Sequence, residues 1–84
     1  MDANQAFEAI KKIAQSSTDP TDVKTMRSRA REVIDQFKTG NAHTVGEAEA
    51  LRRNIAGAFA TGRMSIIETA VFREAQQHLV GEAQ

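Results

Sequence analysis

Apolar residues along this chain recur at spacings of three and four, the pattern of helices that bury one side. Four stretches carry it. In the first, Ala6, Phe7, Ile10, Ile13 and Ala14 fall on one stripe, which predicts a helix over residues 3–15. Asp2 precedes it as an N-cap, with Gln5 three residues on as the reciprocal partner. Glu8 and Lys12 stand one turn apart as a favourable pair. Ser16 to Pro20 read as a stop and a restart. Asp19 is placed to cap, and Pro20 suits the first helical position, where its missing N–H costs nothing. The second helix, over 20–39, sets Val23, Met26, Ala30, Val33, Ile34 and Phe37 on one narrow face, close to a heptad seam. Gly40 is expected just beyond it, as a left-handed closing residue.

A short loop, Asn41 to His43, comes next. Thr44 and Glu47 form a capping box, so a third helix is expected over 45–61. Its stripe is Ala48, Leu51, Ile55, Ala58 and Phe59. Gly57 sits inside it at a cost of about 1 kcal/mol relative to alanine. With Ala56, Ala58 and Ala60 beside it, this glycine reads as room for close helix packing. Gly62 is the natural closing residue. Ser65 and Glu68 form a second capping box, which opens a fourth helix over 66–80 that Gly81 ends. Here Ile67, Val71, Phe72, Ala75 and Leu79 occupy one broad side. Ile66 and Ala70 project from a different side, and Val80 from a third direction. A helix so apolar around its circumference is either central or in contact with something on both sides.

Four helices with short connections imply an all-α fold, a small up-down bundle completed within the chain or by dimerisation. At 84 residues one domain, 1–84, is expected, with a radius of gyration of roughly 12 Å. A chain this short buries only about 60–65% of the surface exposed when unfolded, so a partner would add stability. Hydrophobic residues at 40% and charged residues at 26% argue against disorder. The lack of cysteine excludes disulfides and thiolate zinc sites and fits a reducing cytoplasm. No basic leader and no apolar run of about 20 residues is visible, which argues against secretion and a membrane span. The 11 basic and 11 acidic residues cancel, whereas dedicated nucleic-acid binders usually carry a basic excess.

Locally the balance differs. Residues 23–40 carry five basic and two acidic side chains, and Lys24, Arg27, Arg31 and Lys38 form a stripe. The stripe suits phosphates or an acidic partner, but also a solvated face balanced by acids on neighbouring helices. Asp35, one turn beyond Arg31, is in position to pair with it. The third and fourth helices invite comparison with a helix-turn-helix, with Gly62 in the turn. However, Ile66, Ile67 and Glu68 would then stand where base-reading residues belong. His43 with Glu47, and Glu74 with His78, are His/carboxylate pairs at helical spacing. No metalloprotease, nucleophile-elbow, phosphate-loop or EF-hand pattern accompanies them. No catalytic, cofactor or metal site is expected, and no enzyme activity.

The leading expectation is a protein–protein interaction module (a regulator, inhibitor, adaptor or chaperone-like protein) that covers a surface of a larger partner. Ile66, Phe72 and Val80 are the expected apolar anchors. Arg52, on the flank of the third helix's stripe, is expected either to lie along that flank or to meet a partner carboxylate. The alternatives are a nucleic-acid binder using the Lys24/Arg27/Arg31/Lys38 stripe, and a structural subunit of a homo-oligomer.

Overall fold

In the computed structural model, which describes residues 1–41 and 45–81, the first helix begins with the expected cap. The Asp2 carboxylate accepts the Gln5 amide at 2.8 Å, and the Gln5 side-chain oxygen accepts the Asp2 amide at 2.9 Å. Such a box satisfies two of the four amides that open a helix. α1 spans Ala3–Gln15. Restart after the Ser/Thr segment is by a 3₁₀ turn, Pro20–Asp22, that leads into α2, Val23–Gly40. Asp19 caps the turn through the Thr21 amide at 3.0 Å. Hydrogen bonds from the Thr21 amide and hydroxyl hold its carboxyl below the usual aspartate range.

One helix end needs correcting. Gly40 is the last residue of α2, not a left-handed residue beyond it. Asn41 does the closing instead: its amide returns to the Lys38 carbonyl at 3.2 Å, and its side chain donates to the Phe37 carbonyl at 2.9 Å. The same side chain reaches the Met1 carbonyl at 2.7 Å and ties the chain's start to the end of α2. With these carbonyls served, no glycine conformation is required there. α3 spans Val45–Ala60, and Gly62 closes it with φ 67°, the only positive φ among the described residues. The expected Thr44 cap and His43 lie outside the described residues. α4 spans Ile66–Gly81. Its Ser65/Glu68 box forms in both directions, at 3.1 Å each way.

The four helices make a small bundle. Directions can be read from the side-chain bonds. Arg27 and Arg31 of α2 meet Glu74 of α4, while Asp35 and Lys38 meet His78 one turn further on, so these helices run the same way. α1 and α3 also run together: Glu47 accepts the Ala3 amide at 2.6 Å, and Asn54 lies beside Asn4. α1 opposes α2, whose end meets Met1. The sense therefore alternates down the chain, as an up-down bundle requires. α1 and α4 each pack on all three other helices, whereas α2 and α3 scarcely touch and flank the central pair.

The expected stripes form the core. Ile10, Ile34, Phe37, Leu51, Ile55 and Val71 are fully enclosed, with Ile67, Phe72, Ala75 and Leu79 completing it from α4. Among the described residues no charged or polar side chain is buried. The radius of gyration is 12.0 Å. No described helix is long and apolar enough to cross a membrane.

Candidate docking face

α4 advances about 100° per residue, so positions seven apart return to nearly the same side. Ile66, Arg73 and Val80 are related in this way, with Thr69, Ala70, Gln76 and Gln77 between them. The buried residues Ile67, Val71, Ala75 and Leu79 follow the opposite side. The outward stripe is about 21 Å long from Ile66 to Val80. Ile66 is 84% exposed and Val80 43% exposed. Val80 does not point in a third direction of its own: a fourteen-residue separation brings it back within about 40° of Ile66.

Phe72 is a correction. Expected as a docking anchor, it is 2% exposed and stacks against Phe7 of α1, ring centroids 5.7 Å apart and tilted by 39°. Its position lies about 120° from Ile66 around the helix, which turns it inward. It belongs to the junction of α1 and α4, where it serves the core rather than the outward stripe.

Arginines border the stripe. On the α2 side, Arg27 and Arg73 line a depression of about 310 Å³ with Met64, Ile66, Thr69 and Ala70. On the α3 side, Arg52 lines a shallower one with Gln76, Gln77 and Val80. Arg52 is half exposed and lies 3.4 Å from Glu49, a surface pair of small energetic weight. Arg73 is exposed and makes no ion pair with any described residue. No carboxylate stands on the stripe, and those nearby are occupied. Glu68 serves the cap of α4, and Glu74 is held between Arg27 at 3.6 Å and Arg31 at 3.4 Å.

The same contacts reshape the basic stripe of α2. Arg31 does not pair with Asp35: Glu74 sits across the α2–α4 seam from Arg27 and Arg31 and takes both. Asp35 bonds His78 Nε2 at 2.7 Å instead. Lys38 donates to the His78 carbonyl. Three of the four expected stripe residues therefore fasten α2 to α4, and only Lys24 faces solvent without an ion pair among the described residues. Glu47 and Glu74, the carboxylates of the two His/Glu pairs, likewise hold helices together.

Sequence reasoning missed Arg73 and Val45. Arg73 was legible, seven residues from both Ile66 and Val80. Val45, 79% exposed, occupies the first position of α3 and lies off that helix's stripe. A Cβ at Gly57 would meet nothing within 4 Å, so this glycine does not serve close helix packing. It opens instead onto a groove of about 350 Å³ between α1, α3 and α4, floored by Phe7 and Phe72. No family model, curated protein or solved structure matches the chain.

Proposed function

We propose that this protein is a small interaction module, of the regulator, inhibitor, adaptor or chaperone-like kind, that acts by covering a surface of a larger protein with the outward face of α4. One observation carries the reading. Ile66 and Val80 stand in solvent on a single stripe, next to Ile67 and Leu79, which are buried. Burying an isoleucine is worth about 1.5–3 kcal/mol, so an exposed one forfeits stability that a partner's surface would recover. Its action is steric and needs no bond-making chemistry, and a cysteine-free chain suits a reducing compartment such as the cytoplasm.

The test is capture from a nuclease-treated lysate with three baits: the native chain, Ile66→Asp and Val80→Asp. A stoichiometric protein held by the native chain and released by both variants, with helicity unchanged, supports the reading. Capture that survives both substitutions, or that disappears with nuclease, places the binding surface elsewhere.

A further inference from the structure

Resting on that reading, the charges around α4 specify the occupant. Arg73 stands midway between the two apolar positions, exposed and without an ionic partner among the described residues. Arg27 approaches from α2 and Arg52 from α3, one on each side of the ridge. Glu74 is shared by two arginines, which leaves that cluster with a positive excess. The stripe is therefore apolar at its two ends and cationic at its middle, and the carboxylates beside it, Glu74 and Glu49, are each paired with arginine.

A second copy of this chain fits it poorly. In a two-fold antiparallel pairing of α4 on α4, the middle of the stripe lies on the symmetry axis. Ile66 would meet Val80 of the other copy, which is favourable. Arg73 would face its own image with no anion between them, and the flanking arginines would add to the repulsion. The stripe is also only about 21 Å by about 10 Å, whereas a stable interface covers about 800 Å² on each side. Contact must spread to the flanks, where Arg27 shares Glu74 with Arg31 and Arg52 stands beside Glu49.

We propose that the α4 face binds an acidic amphipathic helix of another protein, one in which two apolar residues about fourteen positions apart straddle a carboxylate. The apolar pair covers Ile66 and Val80. The central carboxylate meets Arg73, in the two-pronged geometry that guanidinium offers, and acids on the flanks of the helix meet Arg27 and Arg52.

The test uses two designed helical peptides of about 21 residues and the full chain. One peptide carries leucines at the two outer positions with glutamates at the centre and flanks; its twin carries lysines in place of the glutamates. Amide resonances of the full chain are followed during titration with each. The expected result is saturable shifts along Ile66, Ala70, Arg73 and Val80 with the acidic peptide alone, and affinity that drops as salt rises. Arg73→Glu should weaken the acidic peptide at least tenfold and strengthen the lysine twin. Equal binding of both peptides at α4 leaves the docking face standing and overturns the acidic assignment. No shift along α4 with either peptide overturns both. Concentration-dependent dimers that Ile66→Asp dissolves make a second copy the occupant and overturn the proposal.

Discussion

α2 and α4 lie side by side and run the same way, yet they place their apolar residues differently. On α2, Met26, Ala30, Ile34 and Phe37 are buried, Val23 and Val33 are half-buried, and every fully exposed position is polar or Gly40. Two of its three arginines, Arg27 and Arg31, are turned toward α4, where Glu74 holds both. α4 buries a comparable inner row but leaves Ile66 and Val80 outside, with Arg73, which has no ion pair among the described residues, between them. α2 is committed to the fold on its apolar face and at its ionic seam. α4 is committed on one side only, and what its other side leaves exposed is what a partner could use.

The contrast presupposes a shared core, in which the two helices should behave alike. Phe72→Ala removes the ring that packs on Phe7 and should cost about 3–5 kcal/mol. Ile34→Ala on α2 should cost about 2–5 kcal/mol. Small domains have only about 5–15 kcal/mol in total, so Phe72→Ala is expected to melt far below the native chain or fail to fold. Thermal melts followed by helical circular dichroism check both. A Phe72→Ala chain with native stability would mean that the inner side of α4 is not core, and the contrast would collapse. A smaller effect of opposite sign is expected on α3. Gly57→Ala adds a methyl group into open space and should stabilise by about 1 kcal/mol, raising Tm by about 4–8 °C.

Most of the fold was legible, because capping and periodicity are local. The Asp2, Asp19 and Ser65 caps and the Gly62 closure are set by residues within four positions, and the apolar stripes named the core. Three things were not local. The closing role of Asn41 depends on Met1, forty residues away in sequence. The partner of Arg31 lies on another helix: Asp35 is one turn away and in position, but Glu74 lies across the packed seam. Phe72 was read as both core and anchor because apolarity alone does not tell the inner side of a helix from the outer. The helical angle does, and carried through it would also have placed Val80 beside Ile66 and found Arg73.

The seam between the two helices gives the next test. Glu74→Gln removes the one acid that α4 offers to Arg27 and Arg31. The arginines are about half exposed, at 49% and 51%, so solvent screens the pairs and the loss should be only about 0.5–1 kcal/mol. It should shrink further at high salt. Denaturant titrations of the native chain and the variant at low and high salt measure this. Below it comes Ile66→Asp. At 84% exposure it removes no packing, and an acid in the first turn of a helix is favourable, so stability should change by less than about 0.5 kcal/mol. A large loss would mean that Ile66 belongs to the fold, as α2's apolar residues do.

The smallest effect separates the two helices at their starts. α2 is approached through Asp19, a carboxylate whose pKa is lowered in the fold by the Thr21 amide and hydroxyl. At the start of α4 the Glu68 amide is held by the Ser65 hydroxyl, which does not titrate; a carboxylate, that of Glu68, takes part only in the returning bond from the Ser65 amide. A lowered folded-state pKa means that the Asp19 contribution is fully present above the unfolded aspartate value of about 3.9, and is lost as pH falls through the folded value. Acidification from pH 6 toward pH 3 should therefore loosen the Pro20–Asp22 turn, so that amide exchange at Thr21 speeds up relative to Glu68. Asp19→Asn retains an acceptor oxygen for the Thr21 amide without a titrating group, and should remove that pH dependence while leaving Glu68 unchanged. If Thr21 and Glu68 respond alike in the native chain, the turn before α2 is held by something other than its cap, and the two helix starts are not chemically distinct.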